Sequence, residues 1–214
     1  MTALRAARVV ATLSVALFWL GIEVAGERAE GYSARDDVVS SLAGRGSSVA
    51  VLGIASILTL VPAHLAAAWV LRQGGRSRIA SGLLWAASAS TSLIAVFRVS
   101  CPSGAAGCGQ ESSAGAADLI HGLAVTAYAL VIVAAMIAVA VRSARGASSW
   151  PRWLAIISLA AAVGSVALLV RTGGDDPGQW QRLWVGTNLG WLLVVTWLGR
   201  VSSPGSAGAP PPRR

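Results

Sequence analysis

Seven side chains in this sequence have the types needed to act together on a polar, anionic group: Glu23, Asp37, Ser40, Arg98, Asp118, His121 and Arg182. Arginine presents a planar fork of donors that matches phosphate or carboxylate oxygens. Asp118 and His121 stand three residues apart, which places them on one face of a helix. His121 is the residue of the right type for a general base, with Arg98 or Arg182 holding anionic oxygens. On charge alone, Glu23 is expected to pair with Arg98 or Arg182, and Asp118 with His121. Such groups close to hydrocarbon pair with one another or face a polar cavity. The plainer reading of the same residues is a set of ion pairs that fastens helix ends together.

Other chemistries find less support. Cys101 and Cys108 are the only cysteines and share one Gly-rich segment, Cys-Pro-Ser-Gly-Ala-Ala-Gly-Cys. A disulfide is the main expectation there, with free thiols or a metal site shared with His121 as alternatives. The spacing matches no zinc motif, and no metal or other cofactor is expected. His64 follows Pro62 deep within an apolar stretch, so it does not share a depth with His121 as a two-imidazole haem would require. A polar contact between helices beside a proline kink is the expectation for it. Gly-x-Ser-x-Gly, His-Glu-x-x-His, P-loop and dinucleotide glycine patterns are absent.

The elements that must position these residues are apolar helices. Hydrophobic residues make up 55% of the 214-residue chain and charged residues 12%, too few charges to clothe a soluble core. Apolar stretches run over about residues 9–25, 49–71, 79–97, 119–141, 153–170 and 183–198. Each is long enough to cross a hydrocarbon core of about 30 Å. The expected class is therefore an all-α integral membrane protein with six transmembrane helices over residues 1–201. Residues 202–214, rich in Pro, Gly and Ser, are expected to be a disordered cytoplasmic tail.

Charge sorting supplies the orientation. Of the 17 basic residues, all arginine, eleven lie on alternate connections that carry no acid, whereas all nine acids lie on the others. Basic segments stay inside, so both termini are expected in the cytoplasm of a bacterial plasma (inner) membrane. The net charge of +8 is then a matter of topology and anionic lipid, and nucleic acid is excluded as a partner. The first stretch lacks a good cleavage site, because Glu23 sits where a signal peptide wants a small or apolar residue. Trp180 and Trp184 are expected at the outer interface. Gly186 with Gly190, Ala160 with Gly164, and the series Ser81, Trp85, Ser88 and Ser92 are expected to mark packing faces.

The order of features also resembles a known family. Tyr32, then Asp37-Val-Val-Ser40-Ser41-Leu42-Ala43-Gly44-Arg45-Gly46-Ser47, resembles the first outer loop of the bacterial membrane family called domain of unknown function 998. Phe97 and the cysteine segment, Asp118 with His121, and Gly178-Gln-Trp-Gln-Arg182 before the last span are similar to it too. Ser41 stands where that family usually has Glu. The resemblance implies a six-helix membrane protein of unestablished activity, with Ser40, His121 and Arg182 at recurring positions. The function expected is non-enzymatic: binding or moving a lipid or small amphiphile at the outer leaflet. An enzyme acting on a lipid head group, or a structural subunit among other membrane subunits, are the alternatives.

Overall fold

A computed structural model describes residues 2–73, 77–100, 115–146 and 150–198. Six long helices account for nearly all of them: α1 (Thr2–Arg28), α2 (Ala50–Gln73), α3 (Arg78–Val96), α4 (Ala116–Ala144), α5 (Trp153–Arg171) and α6 (Pro177–Leu198). One 3-10 turn, Val39–Ala43, interrupts the loop between α1 and α2. No strand occurs among the described residues. The expected disulfide of Cys101 and Cys108, and the tail beyond residue 201, lie outside them.

Helices α1 to α5 are long and apolar enough to cross a membrane. α6 is not counted with them, because Gln179, Gln181, Arg182, Thr187, Asn188 and Thr196 dilute its apolar character. Apolar stripes lie on the surface, with Leu13, Leu17 and Leu20 of α1 and Ile156, Val163 and Val170 of α5 exposed. The opposite faces supply a core that includes Phe18, Ile22, Leu84, Ile132, Met136 and Leu192. α1 is thus an integral part of the bundle. Each helix packs chiefly on its neighbours in sequence, and α6 closes the ring by returning to α1 and α2.

Packing relies on polar stitches and a few close approaches. Gly21 of α1 faces the Ser56 side chain of α2 so closely that any Cβ would strike it. The hydroxyl of Ser81 donates to the Ala68 carbonyl (2.8 Å) and that of Ser88 to the Val61 carbonyl (3.4 Å), joining α3 to the backbone of α2. Trp85, placed by spacing on the same face, instead points outward and is 53% exposed. Of the expected glycine faces, Gly186 has the Trp19 ring of α1 at 3.8 Å from a Cβ built on it, whereas among the described residues no other helix comes within 4 Å of a Cβ built on Gly164 or Gly190. Instead α5 and α6 are joined by indoles: Trp184 donates to Ser165 (2.9 Å) and Trp191 to Ser158 (3.0 Å). Trp184 is therefore a core residue rather than an interfacial anchor.

Candidate functional site

The loop of residues 29–49 folds over one end of the bundle and is fastened on both sides. On the α6 side, Arg182 donates to the carbonyl of Ala34 (2.7 Å) and to the hydroxyl of Tyr32 (2.5 Å). It also reaches the carbonyls of Asp37 and Gly178 at 3.3 and 3.2 Å. Gly178 makes this approach possible, because a Cβ there would collide with the carbonyl oxygens of Asp37 and Ala34. The Val39 amide donates to the Gln181 side chain at 2.5 Å. Arg35 forms a two-pronged ion pair with Asp176 at 2.7 and 3.0 Å, and the Gln179 amide donates to the Arg35 carbonyl. On the other side, the Arg45 amide donates to the Val99 carbonyl beyond α3.

Burial and charge set the ionisation of these groups. Burial pushes the Tyr32 hydroxyl above its usual 10.0, although its bond to Arg182 works in the opposite direction. The hydrogen bond from Arg35 holds the Asp176 carboxyl below the ordinary 3.8, and the same bond raises Arg35. Asp37 is buried, with a carboxylate oxygen that accepts from the Ser33 amide at 2.7 Å. The loop thus closes on itself as well as on α6.

Asp118 and His121 do not pair with each other. Asp118 accepts from the Ser100 amide (2.7 Å) and hydroxyl (2.5 Å), and from the Gly115 amide that precedes α4. This is an N-terminal cap that also binds the exit of α3. His121 lies buried one turn further on, its Nδ1 at 2.7 Å from the Phe97 carbonyl. A carbonyl can only accept, so Nδ1 is the donor in this bond. Neither Glu23 nor Arg98 makes the expected ion pair. Glu23 is exposed on α1, and Arg35–Asp176 is the one salt bridge among the described residues. Arg182 prefers carbonyls and a phenol because the loop brings their oxygens within its fork, whereas Glu23 projects outward from α1.

Beneath the loop lies a pocket of about 70 Å³ that the sequence does not advertise. Val39 and Ser40 of the 3-10 turn roof it, and Phe18, Ile57, Leu60, Ile94, Val125 and Val185 supply apolar walls. Gln181 and Thr91 add polar atoms. Tyr128 and Trp184 also line it, with their rings edge to face at 5.8 Å. Behind Tyr128, wholly buried His64 brings Nε2 to 3.3 Å from the phenol oxygen and Nδ1 to 2.7 Å from the Leu60 carbonyl. That is the interhelical contact expected of His64. The signal for Tyr128 was its position two turns beyond His121 on the same face of α4. Of the seven predicted residues, then, Ser40 borders the pocket, Asp37 and Arg182 fasten its cover, Asp118 ties the start of α4 to the exit of α3, and His121 lies buried against that exit.

Among the described residues no group of His, Cys, Asp or Glu could hold a metal ion. No curated protein and no solved structure matches the chain. A family model does match, over residues 12–198, and its description is a protein of unknown function, DUF998. With helices able to cross a membrane repeatedly, and with the loop, cap and final helix in the order described, the chain belongs to the DUF998 family.

Proposed function

We propose that this chain is a non-enzymatic, multi-pass protein of a bacterial plasma membrane that binds or moves a lipid or small amphiphile at the outer leaflet. In this reading α6 is a sixth span, held in the bundle by α1, α2 and α5, and both termini lie in the cytoplasm. The loop of residues 29–49 is then on the outer surface. The observation that carries the reading is the pocket under the 3-10 turn. Its walls are almost entirely apolar, its rim has Ser40 and Gln181, and its volume is about 70 Å³. Taking about 14 Å³ for each water-sized group, that is room for roughly five such groups, part of an amphiphile rather than a whole lipid. A mostly apolar hollow with a few placed polar atoms is the ordinary form of a small-molecule site.

Native mass spectrometry from lipid discs tests this. The full chain should retain a specific lipid or amphiphile, and Val125→Trp, which fills the pocket, should release it while the fold persists. Equal retention by the filled variant would remove the pocket from the argument. A reporter fused after Arg214 should read as cytoplasmic; an exported reporter would invert the orientation.

A second reading, a membrane-embedded enzyme acting on a lipid head group, rests on His121. Its Nδ1 is engaged by Phe97, which leaves Nε2 to accept a proton. Turnover of a retained lipid that is lost in His121→Ala would establish it. Copurification of another membrane subunit with a lipid-free chain would favour a structural role.

A further inference from the structure

The opposite end of the bundle presents a separate site. α2 ends at Gln73 and α3 begins at Arg78, with Ser77 as its N-terminal cap. The last turns of α4 lie beside that start. Between them opens a cavity of about 690 Å³, bounded by Ser77, Arg78 and Ile79 on one helix and Val141, Arg142 and Arg145 on the other. A neighbouring space of about 460 Å³ shares Arg78 and adds Arg72. No Asp or Glu occurs from residue 38 to 110 or from 119 to 174. Arg78 and Arg145 thus both line this cavity, and neither connecting segment carries a carboxylate.

Three further features agree on an anion. The Ser77 hydroxyl accepts from the Ala80 amide (3.1 Å) and the Ser77 carbonyl from the Ser81 amide. Arg78 and Ile79 are the first residues of α3, at the positive end of its dipole. Arg78 and Arg145 are both exposed, so neither guanidinium is walled off from a ligand. Directly beside them Ile79 is 71% exposed and Val141 41% exposed, so hydrocarbon surface borders the charged rim. A soluble anion would use the arginines alone, whereas a phospholipid would use both surfaces.

We propose that this cavity binds the phosphate of an anionic phospholipid, with Arg78 and Arg145 as donors and Ile79 and Val141 against the upper part of its acyl chains. The site is distinct from the pocket under the 3-10 turn and stands or falls separately from it. Purified full-length protein in a neutral detergent is titrated with phosphatidylglycerol, phosphatidylcholine and glycerol phosphate, with adducts read by native mass spectrometry. Phosphatidylglycerol should bind in preference to phosphatidylcholine. The double variant Arg78→Gln/Arg145→Gln should weaken it about thirtyfold, on the order of fivefold for each charge removed. Arg171→Gln, which removes a charge near the other end, should leave it unchanged. If the double variant fails to fold, Arg145→Gln alone, on the exposed turn after α4, should weaken binding by about fivefold. Undiminished binding by the arginine variants, an equal loss in Arg171→Gln, or glycerol phosphate binding as well as the lipid would each overturn the proposal.

Discussion

The Arg182 guanidinium and the Tyr32 hydroxyl meet at 2.5 Å across 150 residues of sequence, and the Tyr32 ring lies 5.6 Å from the same guanidinium. One side chain on the first turns of α6 thereby gathers the phenol and the carbonyls of Ala34 and Asp37. A cation that is bonded on several sides is poorly placed to capture a ligand, and well placed to hold a cover in position. The charged residues at this end divide accordingly. Arg182, Asp37 and Asp118 are all engaged by backbone or side-chain partners within the protein, while the space beneath the loop is lined mostly by apolar side chains.

Arg182→Lys should therefore be harmful although it keeps the charge. Lysine cannot reach the phenol and two separated carbonyls with one ammonium. Loss of a charge-assisted hydrogen bond at a partly buried position costs about 2 kcal/mol. Thermal unfolding in detergent should show a clearly lower midpoint for this variant than for Arg171→Lys, whose parent side chain lies over the Trp180 ring, 5.1 Å from its centroid. Equal midpoints would mean that the Arg182 contacts contribute little.

Gly178→Ala tests the same seam from the backbone side. The added Cβ would stand 2.8 Å from the Ala34 carbonyl oxygen and closer still to that of Asp37. Backbone atoms cannot swing away like the tip of a side chain, so the loop must shift by overpacking, at about 1–3 kcal/mol. Hydrogen exchange should accelerate at the amides of Asp37 and Val39, which the folded loop bonds to Ser33 and Gln181. Amides in the middle of α4 should keep their protection. Unchanged exchange in the loop would show that the seam tolerates a methyl group.

How far these contacts were visible beforehand depended on their range. Periodic apolar runs mark helices locally, so α1 to α6 fall close to the stretches read from sequence. Partner choice is not local. Glu23 and Arg182 look like a pair in a list of charges, but the loop delivers carbonyl oxygens to Arg182 first. The spacing of Ser81 and Ser88 did mark a face that meets α2, but that of Gly164 and Gly190 misled for a related reason, since these report only a lack of bulk. The α5–α6 contact was made by Trp184 and Trp191 finding serines on the facing helix. The pocket escaped notice because Phe18, Leu60, Thr91 and Val185 come from four helices and carry no motif.

The Arg35–Asp176 pair sets a pH dependence with a definite sign. The Asp176 carboxyl is held below the ordinary 3.8 by its bond to Arg35, so folding favours the ionised form. The stabilisation is complete above about pH 4 and is lost as the pH falls through the depressed native value. No effect is expected at neutral pH. A carboxyl-carbon NMR titration should find Asp176 titrating below 3.8 in the parent protein and moving up towards that value in Arg35→Gln. Titration of the parent at or above 3.8 would contradict the bidentate geometry seen here.

Tyr128→Phe separates the polar floor of the pocket from its shape. The substitution keeps the ring that packs against Trp184 and His64 and removes only the hydroxyl. His64, wholly buried with Nδ1 turned to the Leu60 carbonyl, would then have no partner for Nε2. Interhelical hydrogen bonds in membrane proteins contribute about 0.6 kcal/mol on average and up to about 1.7 kcal/mol. At 3.3 Å this one is long, which places the expected loss towards the lower figure. Reversible unfolding in mixed micelles should register it as a small destabilisation. The double variant Tyr128→Phe/His64→Leu should recover part of the loss, because an unpaired buried imidazole is replaced by hydrocarbon. A larger penalty in the double variant than in Tyr128→Phe would instead show that His64 holds α2 in place beside Pro62 by its own bond to Leu60.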